Sequence, residues 1–127
     1  MTIVAVLLGG LVGTGLRLGL DALLPHPDDA FPWSTLLINV VGSFVLGALV
    51  ARVWPRAPHW LKAGLGAGLL GAFTTFSALA VSLVTLADAG EWLTGAVYLV
   101  ASLVAGHGAA VAGLFLGRRP EPIGPEE

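Results

Sequence analysis

Three hydroxyls stand between and beside two phenylalanines in "GAFTTFSAL" (71–79), at the middle of a 63–87 run that carries no charge. Thr74, Thr75 and Ser77 are donors that can bond nearby main chain, and Gly71 relaxes the backbone just before them, so a helix could stop here and still satisfy its polar groups. Such a stop would set carbonyls from one helical half against amides from the next, which suits a cation on one side and an anion on the other. Phe73 and Phe76 share a face, and the positive edge of an aromatic ring accommodates a small anion without the formal charge that would trap it. Read alone, the stretch fits equally an unbroken helix with back-bonded hydroxyls and packing rings.

Other polar residues fall into rows. Thr35, Asn39 and Ser43 recur at i, i+4 and i+8, which places them on one helical face. Tyr98 and Ser102 form a second row, continued without a side chain by Gly106. Either row could serve interhelical hydrogen bonding, which contributes around 1 kcal/mol or less per bond, or could line a path. His107 is the one imidazole in a charge-free run and suits a bond to a neighbouring carbonyl better than a metal, for no acidic or second histidine partner lies near it in sequence. The chain has no cysteine, which excludes disulfides and thiolate ligands.

The elements that must position these residues follow from composition. Of 127 residues, 56% are hydrophobic and 11% charged, and the mean hydropathy is +0.88, far from what a soluble domain of this size needs. Charge-free runs cover 1–16, 30–51, 63–87 and 92–117, and a spanning helix takes about 20 apolar residues. The sequence therefore predicts an all-α membrane protein of four transmembrane helices at about 2–24, 33–54, 60–87 and 91–117, forming one domain over 1–127, with the third expected to be broken near its centre if the 71–79 stretch is read as a stop. The first is read as a span rather than a cleaved signal, since no Lys or Arg precedes Arg17. Prolines and aspartates in "PHPDDAFP" (25–32), prolines in "RVWPRAPHWLK" (52–62) and the turn "DAGEW" (88–92) separate the spans. Trp54 and Trp60 suit the interface belt. A polar tail, 118–127, reads as disordered. Nothing is left over for an enzyme site or nucleic-acid binding.

Glycines at four-residue spacing (Gly9 with Gly13, Gly15 with Gly19, Gly64 with Gly68, Gly113 with Gly117) predict close helix packing. Four short helices bury little surface, so a partner chain is expected. Arg52, Arg56, Lys62, Arg118 and Arg119 fall at one membrane face and only Arg17 at the other, which predicts a multi-pass inner (plasma) membrane protein with both termini cytoplasmic. No Asp or Glu lies inside a charge-free run, which disfavours a proton-coupled exporter. Small multidrug resistance exporters match the size but rely on an acidic residue in their first helix. A side-chain inventory of donors and ring edges favours an anion.

"GGLVGTGLR" (9–17), "STLLINVVGSFVLG" (34–47) and "GAFTTFSAL" (71–79) resemble, in order, three signatures of the Fluc/CrcB fluoride channels, and the likeness extends over about 5–117. The resemblance implies a fluoride-selective channel that exports fluoride from the cytoplasm, assembled as an antiparallel dimer with two pores and a structural sodium ion at its centre. It further implies Asn39 as a pore-lining amide, Phe76 as the first ring of an aromatic box, and Ser77, Tyr98 and Ser102 along a polar track with Thr35 near Asn39. Main-chain carbonyls of Gly71 and Thr74 would hold the sodium, and Arg17 matches the arginine closing the first signature. The family usually reads TTFSTF; here Ala78 and Leu79 replace the last two residues, and Ser82 stands where an acid is often found. A leucine lacks the ring's positive edge, so the expectation includes a pore weakened at Leu79, and a dimer with either a second copy or an oppositely oriented homologue. A non-conducting subunit that needs such a partner is the remaining alternative.

Overall fold

The computed structural model describes residues 1–25, 27, 29–118 and 120. Six α-helical elements follow in order: α1 (Thr2–Leu23), α2 (Trp33–Arg52), α3 (His59–Ala63), α4 (Gly71–Phe73), α5 (Phe76–Asp88) and α6 (Trp92–Gly117). Between α3 and α4, Gly64–Leu70 form wider π-helical turns, so that His59–Asp88 makes one 30-residue crossing. Among the described residues, four helices or helical stretches are long and apolar enough to span a bilayer.

Local chemistry sets the ends. The second helix was expected to reach 54 but stops at Arg52, because Pro55 lacks an amide and restricts Trp54; the chain tightens instead into a 3-10 turn at Trp54–Arg56. Gly90, at φ 77°, makes the turn into α6 in a left-handed conformation that a side chain would disfavour. Trp33, Trp60 and Trp92 lie exposed near the ends of spans, where indole rings suit the headgroup region. The expected tail over 118–127 lies outside the described residues except for Arg118 and Pro120.

Packing is pairwise: α2 runs along α6, and α1 along the π-helical turns and α4. Backbones touch at both seams. A Cβ on Gly113 would collide with the Phe44 carbonyl and one on Gly47 with that of Ala110, so α2 and α6 approach as closely as their main chains permit. On the other seam, a Cβ on Gly13 would strike the Leu69 carbonyl, and one on Gly68 would come within 2.7 Å of the Val6 oxygen. Gly15 and Gly19, expected to pack in the same way, face open space. Only 6% of the apolar window of α1, and of α6, is buried within the subunit. Most of this surface is left for lipid or another chain, because four helices have too little area to cover one another.

Candidate functional site

The helical hydrogen-bond ladder of the third crossing reaches Phe73 and resumes at Phe76. Between them, Thr74 (φ −77°, ψ 151°) and Thr75 (φ −147°, ψ 117°) are extended. Thr74 closes the first half: its amide and its Oγ1 both donate to the Leu70 carbonyl, at 2.9 and 2.8 Å. Thr75 caps the second half, its Oγ1 accepting from the Ala78 amide at 3.1 Å, the N-cap arrangement that satisfies a first-turn donor.

Extended backbone at membrane depth exposes a peptide's N–H and C=O to hydrocarbon, which offers neither a partner. Here Asn39, reaching over from α2, supplies both. Its Oδ1 accepts from the Thr75 amide at 2.8 Å and its Nδ2 donates to the Thr75 carbonyl at 3.1 Å. One neutral side chain thus takes up the Thr75 N–H, which has lost its helical acceptor, and adds a second donor to the Thr75 carbonyl, which as N-cap already accepts the first bond of α5.

The break leaves the carbonyls of Gly71, Ala72, Phe73 and Thr74 without their helical donors. In a continuous helix the Thr75 amide would bond the Gly71 carbonyl and the Ala78 amide that of Thr74. Both amides are instead taken, by Asn39 and by the Thr75 hydroxyl. The carbonyls of Gly71 and Thr74 therefore lack their helical donors, while Phe76 and Ser77 begin α5 with first-turn amides that have no intrahelical acceptor. Electron-rich and electron-poor ends of backbone meet within a few residues.

Side chains at the start of α5 turn outward. Phe76 is 80% exposed, and Ser77 is exposed beside it with its Oγ 3.1 Å from the Thr75 hydroxyl. A ring and a hydroxyl at the apolar surface of one subunit are suited to meet something other than this subunit's own core.

A second polar group lies inside. Tyr98, on α6, is fully buried, with the Phe31 ring set edge-on to it at 5.4 Å between centroids. Thr35 from α2, Ser82 from α5 and Ser102 from α6 stand around its hydroxyl. Yet neither Tyr98 Oη nor Ser102 Oγ completes a hydrogen bond. These hydroxyls lie close enough to interact with one another without meeting full hydrogen-bond geometry, and each can donate as well as accept.

The residues singled out from sequence accordingly divide. Thr74, Thr75, Ser77 and Asn39 come together at the extended step, with Phe76 at its outer edge; Thr35, Tyr98 and Ser102 gather elsewhere with Ser82. Sequence reasoning missed Phe31 and Ser82 as members of the second group; their spacing along the chain carries no signal of it, because three elements must converge before they meet. Leu79, expected to line a pore, is only 8% exposed and packs with Leu86 and Tyr98 against Phe31, Leu36 and Leu83. It occupies the subunit's own core because it faces α6 from the inner side of α5. His107 lies apart, its Nδ1 donating to the Leu103 carbonyl one turn earlier, at 2.6 Å.

Comparison with known proteins gives one consistent result. Residues 4–114 match the family model described as CrcB-like protein, Camphor Resistance (CrcB). The chain is similar to a fluoride-specific ion channel FluC of Paracoccus denitrificans, 38% identical over 92% of this chain and 94% of the relative. A FluC of Allorhizobium ampelinum is 40% identical over 91% and 95%, and one of Agrobacterium fabrum 41% identical over 93% and 97%.

Proposed function

We propose that this chain, which belongs to the CrcB family, is a subunit of a fluoride-selective ion channel that lets fluoride leave the cytoplasm and so lowers its toxicity. It is a multi-pass membrane protein and a channel rather than an enzyme. The observation that carries the ion-path reading is the convergence of the Thr35, Ser82 and Ser102 hydroxyls on that of Tyr98, which is buried between helices. Fluoride is small and strongly hydrated, so a path for it must replace water's hydrogen bonds with donors of its own. Tyr98, Ser102 and Thr35 supply hydroxyls, Ser77 another, and Phe76 a ring edge. None carries a formal charge, so the ion is stabilised enough to enter and weakly enough to leave. Asn39 contributes through its amide: after the two bonds to Thr75, one Nδ2 hydrogen remains for the ion.

The same reading gives the extended step at Thr74–Thr75 the role of a break at the centre of the third transmembrane helix. The freed carbonyls of Gly71 and Thr74 fit a sodium ion, a hard cation that takes oxygen ligands. When bound, it would place a fixed positive charge amid the neutral groups of an anion path. Two carbonyls from one chain do not complete such a shell, and an antiparallel partner bringing the same pair does. The exposed Phe76, together with the open faces at Gly15, Gly19, Gly106 and Gly108, supports an antiparallel dimer of spanning subunits. The positive residues Arg52, Arg56 and Lys62 favour one fixed insertion with both termini cytoplasmic, and hence either an inverted second copy forced against that bias or an oppositely oriented homologue as partner. Cysteine labelling in the 88–92 turn should come from outside only; equal labelling from both sides removes the fixed orientation.

Reconstitution tests the function. Liposomes containing the chain, alone or with an oppositely oriented homologue, should release fluoride far faster than chloride, and Phe76→Ile should abolish the release. Absence of fluoride release in both preparations overturns the reading. Proton-coupled uptake of a lipophilic cation would instead support the multidrug-exporter alternative.

A further inference from the structure

Asp21, in the last turn of α1, borders a recess of about 340 Å³ whose walls include Ser34, Thr35, Val81 and Ser82. Ser34 and Thr35 are nearly fully buried, whereas Asp21 is exposed. Thr35 and Ser82 are also the residues that stand beside the Tyr98 hydroxyl. The recess at the solvent end of α1 thus shares Thr35 and Ser82 with the hydroxyl cluster around Tyr98. Its wall holds three hydroxyls and one carboxylate, and Arg17 lies one turn deeper in α1.

We propose that this recess is the entrance to the fluoride path on its membrane face, and that Asp21 limits how readily fluoride enters; the inference rests on the fluoride-channel reading. A carboxylate repels an anion that approaches it, and the hydroxyls opposite, being dipoles, offset this only at contact distance. An exposed charge at the rim of a recess acts by changing the local ion concentration, by about tenfold where the field is focused. The effect is screened by salt, since the Debye length is about 10 Å at 0.1 M ionic strength. Entry of fluoride is thus held below the rate that the uncharged interior would sustain.

Fluoride efflux from liposomes holding the full chain, in whichever assembly conducts, tests this at about 0.02 M and about 0.5 M ionic strength. Asp21→Asn should raise efflux about threefold at low salt and Asp21→Lys about tenfold, with all rates converging at high salt. Asp88→Asn, at the exposed end of α5 on the same membrane face and outside the recess, should change nothing. Asp21→Ser replaces the Asn variant if that one does not elute as a folded protein on gel filtration. Efflux from the unaltered chain that the Asp21 variants leave unchanged at low salt overturns the role of Asp21 alone. An equal rise in Asp88→Asn also overturns it, since surface charge anywhere on that face would then suffice. No efflux from the unaltered chain, alone or with a homologous partner, overturns the channel reading and this inference with it.

Discussion

The extended step at Thr74–Thr75 and the hydroxyl cluster at Tyr98 handle polar groups at membrane depth in opposite ways. At the step, every group displaced from the Thr75 peptide finds a replacement: Asn39 holds both its N–H and its C=O, and the Thr75 hydroxyl caps Ala78. At the cluster, four hydroxyl-bearing residues converge and two of their oxygens remain without partners. The difference lies in what holds each polar group: the Thr75 backbone is held by Asn39 from across the fold, the Tyr98 hydroxyl only by neighbouring hydroxyls.

The contrast predicts a graded set of responses. Asn39→Leu should do the most damage, leaving the Thr75 N–H unpaired and its C=O with one donor fewer, at a cost of about 3 kcal/mol. Thermal unfolding in detergent should show a large fall in melting temperature, and fluoride flux should drop to background. A stable Asn39→Leu protein would mean that the extended step does not depend on the clamp.

Leu79→Phe comes next. Because Leu79 is packed against Leu86 and Tyr98, the larger ring should overfill the core and cost about 2 kcal/mol, with flux reduced. Raised flux at unchanged stability would instead put position 79 at the pore surface. Thr75→Ala removes one cap and should cost about 1 kcal/mol, read from the same unfolding curves.

Tyr98→Phe should have the smallest effect on stability, and is the variant that divides the two regions most sharply. Removing a hydroxyl that has no partner relieves a desolvation cost, so the protein should be unchanged or more stable by up to about 1 kcal/mol. Flux should nonetheless fall by about tenfold, the loss of one hydrogen bond to an ion. A destabilised Tyr98→Phe protein would show that the hydroxyl is structurally bonded, and the contrast between the two regions would fail at that point.

How much of this could be read from the chain alone depends on the range of the interaction. The four spans were legible because their signal is local: long runs without charge, punctuated by Pro25, Pro27, Pro55 and Gly90. The density of hydroxyls in 74–77 likewise marked that stretch as unusual. The use of Asn39 was not legible, since its bonds reach 36 residues along the chain and a lone amide in an apolar helix suits several roles. Leu79 depends on packing in the same way: its position in a motif suggested the pore, and only the fold shows that it lies against Tyr98 and Leu86 inside the subunit.

Sequence by itself determined that this protein lives in a membrane and that its third crossing carries hydroxyls at the centre, because hydropathy and residue type are properties of short segments. Tertiary structure alone decided which of those hydroxyls are spent and which are left over. A polar group in hydrocarbon is satisfied only by what lies across from it, and what lies across from Thr75 is Asn39, while what lies across from Tyr98 is two serines and a threonine that leave its hydroxyl unpaired.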